Sequence, residues 1–371
     1  MDKAAILQFR TFLRSGLSGE KPDNAILDEG VAWDAVYNLA KLQTVTGFVT
    51  DGIDLLKGPL DPFDETFDPF LTDLMSTEKR NDKLNSAIPK IIGALEREGL
   101  RPVMVKGQVL AKEYRFPTHR QCGDIDLLLT PEDYSRAREI LIPKASKVDK
   151  EYPEILHQAM KFGSIELELH GAISTLMSPA LDRKLAALQT EMFAEGAFRK
   201  VEIGGMEVSA PPVWFDAVYI FVHMQHHYWS MGVGLRQILD WAVYVTNHYD
   251  EIDMPRLDRV VSDLGMKNLW RSFASFAADF FDLPADRIPF YTKCFPRRNR
   301  RILRYVIRCG NFGKNLKRKA SPDKYFFRKV HSFFRKVFAD RLRHILTFPC
   351  ESLRYFFGAF RYGVGRLSKG E

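Results

Sequence analysis

Gly123-Asp124-Ile125-Asp126-Leu127-Leu128-Leu129 is the stretch that decides how this 371-residue chain is read. Two carboxylates one residue apart in an apolar run predict a strand. On it Asp124 and Asp126 share one face, while Ile125 and Leu127 turn to the opposite layer. Like charges held side by side need a cation between them. A hard divalent ion such as Mg²⁺ suits paired carboxylate oxygens.

Upstream, residues 101–106 read as a short buried strand, and Gly107 opens a helix to about Tyr114. Lys106-Gly107 therefore sits at a strand-to-helix junction, where backbone N–H groups favour phosphate and glycine permits close approach. Lys106 or Arg120 is placed to neutralise phosphate charge. A polar loop, 115–123, leads into the acidic strand 124–129. Thr130-Pro131-Glu132-Asp133 then starts a helix, with Thr as N-cap, that runs to about Leu141. Residues 157–162 and 165–170 flank Gly163-Ser164 and read as a hairpin with a two-residue turn. Glu166, Glu168 and His170 alternate with Ile165, Leu167 and Leu169 and share one face. If that strand lies beside 124–129, a third carboxylate, Glu166 or Glu168, converges on the aspartates. Two-metal phosphoryl and nucleotidyl transfer uses such a set.

The flanks read as helical. Apolar residues recur at three-to-four spacing in 32–42 and 84–98, with a proline-rich loop, 58–69, between them. Helical patterns resume at 214–227 and 235–247. The expected fold is α+β: a mixed sheet with N-terminal helices and a helical C-terminal part. Its expected divisions are an N-terminal helical segment (1–100) packing on the catalytic α/β domain (101–210), a helical domain (211–295) and a basic, aromatic, amphipathic tail (296–371). His223 and His227 share a helix face, but no Glu follows His223 as a zinc-hydrolase motif requires. Arg236 and Asp240, at i and i+4, are expected to form an ion pair.

Hydrophobic residues make up 46% and charged residues 27%, the balance of a soluble globular protein. Cys122, Cys294, Cys309 and Cys350 are scattered, which argues for a reducing compartment. A charge appears within the first three residues, too early for a secretory signal. The longest uncharged run, 217–235, carries three histidines and two glycines, unlike a membrane span. A cytoplasmic protein is expected. The net charge of +7 hides an asymmetry: residues 295–371 hold 21 Lys and Arg against 4 Asp and Glu, the first 294 hold 33 against 43. In the tail, Phe326, Val330, Phe333, Val337, Phe338, Leu342 and Ile345 fall on one helical stripe, beside Arg328, Lys329, Arg335, Lys336 and Arg343. Such a helix packs on its own protein, lies on an anionic membrane surface such as the inner membrane, or binds nucleic acid.

Lys106-Gly107, Tyr114, Pro117, Arg120, Gly123-Asp124-Ile-Asp126-Leu-Leu-Leu and Glu168-Leu-His170 together resemble an uncharacterised bacterial nucleotidyltransferase family of the DNA polymerase beta superfamily. The resemblance spans roughly residues 30–250, and its specific part is 104–130. It implies a nucleotidyltransferase fold with Asp124, Asp126 and Glu168 as catalytic metal ligands. Lys106, Gly107, Arg120, Gly123 and His170 would contact nucleotide and phosphate. Mg²⁺ or Mn²⁺ is the implied ion, an NTP such as ATP the implied donor, and a hydroxyl of unspecified identity the acceptor. Lys106-Gly107 stands where most of that superfamily has Gly-Ser, so a serine hydroxyl is missing from the phosphate side. A second expectation is a catalytically inactive module that keeps the fold and docks through residues 322–371 to membrane or nucleic acid. Glu168 lying far from the aspartates would favour it.

Overall fold

A computed structural model describes residues 3–23, 25, 30–57, 65–293, 296–311 and 344–367. The acidic run forms β2 (Ile125–Leu128). β1 (Val103–Val105) lies antiparallel on one side of it, and β5 (Ile165–His170) lies parallel on the other. β4 (His157–Phe162) joins β5 through the expected two-residue turn, with Phe162 opposite Ile165. β3 (Lys147–Val148) closes the sheet, whose order is β1-β2-β5-β4-β3. Parallel pairing of β2 with β5 requires a crossover. It is supplied by α6 (Pro131–Leu141), whose Tyr134, Ala137 and Leu141 are buried in the same core as Ile125 and Leu167. Thr130 caps α6 as expected, its Oγ1 accepting from the Asp133 N–H at 3.1 Å. The fold is α+β, with a mixed sheet among helices, as a nucleotidyltransferase-type fold requires.

Helices occupy both ends of the chain: α1 (Lys3–Ser18), α2 (Trp33–Gln43), α3 (Thr46–Lys57) and α4 (Asp68–Arg97) before the sheet. After it come α7 (Pro179–Glu195), a two-stranded hairpin of β6 (Arg199–Ile203) and β7 (Met206–Ala210), then α8 (Val213–Ser230) and α9 (Leu235–Asn247). α10 (Met254–Asp263), α11 (Lys267–Phe281), α12 (Pro296–Cys309) and α13 (Pro349–Leu367) follow. Two cores result. One joins α4 and α6 to the face of the sheet carrying Met104, Ile125, Leu127 and Leu169. The other brings α1–α3 together with α8–α12 and receives Val103, Val105 and Leu128 from the sheet's opposite face. Asp126 lies on that second face, between sheet and helices.

Three local expectations need correction. α4 begins inside the loop expected at 58–69 and runs 30 residues through Pro89. Its buried Leu84, Ile88, Ile91, Ile92 and Leu95 recur at helical spacing against the sheet core, which offsets the hydrogen bond that proline removes. The helix opened by Gly107, α5 (Gly107–Ala111), has five residues and stops short of Tyr114. Tyr114 instead donates its hydroxyl to Asp240 Oδ1 at 2.8 Å. The third correction, to the Arg236–Asp240 pair, follows with the site. Cys122, Cys309 and Cys350 are free thiols. Among the described residues no helix is long and apolar enough to cross a membrane. The amphipathic stripe over residues 326–342 lies outside the described residues.

α1 and α3 cross with glycine at the contact on both sides. A β-carbon at Gly16 would run into the Phe48 carbonyl, and one at Gly52 into the Phe12 carbonyl. Gly16→Ala should therefore lower unfolding stability in urea by about 1–3 kcal/mol, the usual effect of overpacking a close contact. Gly93→Ala, on α4 with only the Arg97 side chain within 4 Å, should be neutral or stabilising by up to about 1 kcal/mol. Equal effects at the two sites would contradict the close helix crossing.

Candidate active site

Register places the acids. Asp126 is the direct cross-strand partner of Glu168 on β5 and of Val105 on β1. Asp124 precedes β2 by one residue and lines the same cleft. Glu168 thus stands beside the aspartates. Glu166 lies beyond the β2 pairing, opposite Lys161, with which it forms a half-exposed ion pair at 3.4 Å. The neighbour nearest to Asp126 is Lys106, whose Nζ lies 2.7 Å from Oδ1, with both side chains almost inaccessible. His170 Nε2 meets the same oxygen at 2.9 Å. Lys106 holds φ 54° and ψ −139°, a strained conformation for a residue with a β-carbon, and Gly107 follows at φ 41°. The strain sits at the junction that aims Lys106 at Asp126.

Electrostatics divides the three acids. Burial, Asp126 and Glu168 together push the Asp124 carboxyl up to about 7. Burial would raise Asp126 as well, but the Lys106 ammonium and the His170 hydrogen bond bring it below the usual carboxylate range. Glu168 is likewise lowered against the effect of burial, by hydrogen bonds to His157 and His170. Burial opposes the charge on Lys106, yet the facing carboxylates, Asp126 foremost, raise it above its ordinary value. Asp124 is thus the acid whose ionised form is least compensated, and a nearby cation would favour that form.

The cleft has a volume of about 440 Å³, within the range of small-molecule sites. Its acidic wall comes from the sheet. Its other wall is α8, with Ile220, His223, Met224, His226 and His227. His223 and His227 meet Nε2 to Nε2 at 3.0 Å, so one nitrogen donates and the other accepts. Burial and neighbouring cations hold both imidazoles neutral, His227 down at about 3 and His223 well below its ordinary value.

Arg120 and Asp240 join the two walls. The Arg120 guanidinium donates Nε to Asp240 Oδ1 at 2.8 Å and Nη2 to Oδ2 at 2.7 Å, with both side chains buried. Its Nη1 donates to the Gly107 carbonyl at 3.0 Å and to Cys122 Sγ at 2.7 Å. The expected Arg236–Asp240 pair is therefore replaced. Asp240 takes Arg120, whose planar fork matches a carboxylate, and Arg236 donates to the Gln121 carbonyl. Arg120 lines the cleft, with four of its five N–H donors engaged within the protein. Gly123 lines it too, beside Asp124.

Asp240 and His157 were not picked out as site residues from the sequence. For Asp240 no local signal exists, since Arg120 is 120 residues away. For His157 one did: a two-residue turn with 162 opposite 165 puts 157 opposite 170, and the structure has that pairing.

A family model described as uncharacterised nucleotidyltransferase matches residues 29–282, and the chain belongs to that family. The match supports nucleotidyl transfer in general terms and an NTP substrate. No curated protein and no solved structure matches the chain significantly.

Breaking the Arg120–Asp240 pair leaves a buried charge without its partner. Asp240→Asn should lower stability by about 3–5 kcal/mol in urea denaturation. Arg236→Ala should leave the Arg120–Asp240 coupling in a double-mutant cycle unchanged. A coupling carried by Arg236 instead would overturn the assignment.

Proposed function

We propose that this chain is a nucleotidyltransferase of the DNA polymerase beta superfamily, moving a nucleoside monophosphate from an NTP, ATP among the candidates, to a hydroxyl of an acceptor. The observation that carries the reading is Glu168 in register with Asp126 while Asp124 lines the same cleft. The donor set of three carboxylates at one opening fits Mg²⁺ or Mn²⁺. Asp124, Asp126 and Glu168 would hold it; when bound, the ion neutralises phosphate charge and makes an attacking hydroxyl more acidic.

Each protein group then has a role. Glu168 and Asp126 orient the acceptor side, with His170 fixing the Asp126 carboxylate through its hydrogen bond. Lys106 balances charge beside Asp126 and is the cation nearest the incoming phosphates on the acidic wall. Gly107 and Gly123 keep the backbone accessible on the phosphate side. Arg120 acts through the Gly107 carbonyl and Asp240, positioning that side of the cleft without touching phosphate. The α8 wall, with its neutral imidazoles and Ile220 and Met224, receives the acceptor. The inactive-module reading loses ground because Glu168 is not remote from the aspartates.

The C-terminal part supports a further contact. On α13, Leu353, Phe357 and Phe360 are 48%, 65% and 56% exposed at i, i+4 and i+7. Six arginines lie on α12. A basic, aromatic surface of this kind fits the anionic face of a membrane, with the chain in the cytoplasm at the inner membrane surface. Nucleic acid along residues 322–371 is the competing partner.

Asp124→Ala with Asp126→Ala should abolish Mg²⁺-dependent NTP binding by calorimetry and labelling of any acceptor from radiolabelled NTP in extract. Unchanged binding would sink the transferase reading. Phe357→Ser with Phe360→Ser should reduce co-sedimentation with phosphatidylserine vesicles at least several-fold. Retained sedimentation would overturn the role of these aromatics, and salt-sensitive RNA binding with no vesicle binding would shift the partner to nucleic acid.

A further inference from the structure

We propose that His157, Glu168 and His170 form a nitrogen-bearing metal position that takes a divalent transition ion, such as Mn²⁺ or Zn²⁺, in preference to Mg²⁺. His157 opens β4 and His170 ends β5, and the two are direct cross-strand partners with ring centroids 4.9 Å apart. Alternation along β5 puts Glu168 on the same face as His170. Glu168 Oε2 lies 3.2 Å from His157 Nε2 and 3.5 Å from His170 Nε2. One ligand atom from each of the three residues falls within 4.8 Å of the others. Neighbouring ligands around an ion bound at about 2.0–2.2 Å stand about 3.0–3.5 Å apart, so the hairpin already holds these atoms near ligand spacing. All three side chains line the cleft, and three protein ligands leave a coordination position open toward it.

Donor chemistry sets the preference. Mg²⁺ takes oxygen ligands and sheds water reluctantly, whereas imidazole suits the later first-row ions, with affinity rising from Mn²⁺ toward Zn²⁺. The Asp124–Asp126 side offers oxygen alone; the hairpin side offers two nitrogens and one oxygen. Glu168 belongs to both, so an ion on the hairpin would sit next to the acidic pair. His170 is the hinge between the two sides, since its Nε2 also reaches Asp126 Oδ1 at 2.9 Å. To bind an ion there it exchanges the Asp126 hydrogen bond for a metal bond, while Lys106 keeps Asp126 compensated at 2.7 Å.

The test needs no nucleotide, so its failure is separable from failure of the transferase reading. Full-length protein is titrated with Mn²⁺, Zn²⁺ and Mg²⁺ by calorimetry, and the Mn²⁺ complex is examined by pulsed EPR. Mn²⁺ should bind at least about 10-fold more tightly than Mg²⁺, and Zn²⁺ more tightly still, with ¹⁴N couplings from imidazole in the Mn²⁺ spectrum. His157→Ala should weaken Mn²⁺ and Zn²⁺ at least about 10-fold, with Mg²⁺ affinity within about twofold of wild type. His157→Gln, which keeps a hydrogen-bonding side chain next to Glu168, should weaken Mn²⁺ similarly with an unchanged melting temperature. Asp124→Asn should retain the preference. Equal Mg²⁺ and Mn²⁺ affinities, absence of ¹⁴N couplings, or an unaltered preference in both His157 variants would overturn the proposal.

Discussion

Asp240 reaches from α9 into the loop that feeds the acidic strand, and its two-pronged bond to Arg120 is the constraint on which the site depends. Arg120 in turn holds the Gly107 carbonyl at the strand-to-helix junction and the Cys122 sulfur just ahead of Asp124. Tyr114 shares the same carboxylate. One buried side chain of the helical part thereby orders both segments that enter the cleft. Both partners are almost wholly desolvated, so the pair is a poor candidate for net stabilisation against an apolar alternative. Its consequence is positional: it sets where the sheet stands against α8 and α9.

The second constraint is charge. Three carboxylates converge on an opening whose α8 wall is apolar or neutral. Lys106 and His170 compensate Asp126, and His157 and His170 compensate Glu168. Asp124 has no comparable short-range partner among these contacts, and burial with its neighbours raises its carboxyl to about 7. The uneven compensation leaves one part of the site ready for a cation. The strained backbone at Lys106 belongs to the same arrangement, because it turns the chain from β1 into α5 while keeping the ammonium on Asp126.

Much of this was legible locally. Alternation in 165–170 identified the shared face of Glu168 and His170, and the Gly163-Ser164 turn determined which residues oppose each other. Thr130 announced α6, and the helices after residue 211 showed in their apolar spacing. What failed were statements that local rules cannot carry. The proline-rich loop was expected to reach residue 69, yet α4 already begins at Asp68 and carries its apolar stripe along the sheet. Arg236 and Asp240 have the spacing of a helical pair, yet a better-shaped donor reaches Asp240 from another segment.

By itself, the sequence determined the periods of the chain: which residues are strand, which side of a strand is polar, and which acids can share a face. Those properties depend on neighbours a few residues apart. Only the tertiary structure decided that β5 lies parallel to β2, so that Glu168 rather than Glu166 stands beside Asp126, and that Asp240 belongs to Arg120. These are contacts between segments 42 and 120 residues apart. Their identity follows from which surfaces become neighbours when two cores close on one sheet, and no local spacing encodes that choice. Gly123-Asp124-Ile125-Asp126 named the acidic pair and the 165–170 alternation offered Glu166 or Glu168 as the third acid; the fold set Glu168, with His157 and His170, beside Asp126.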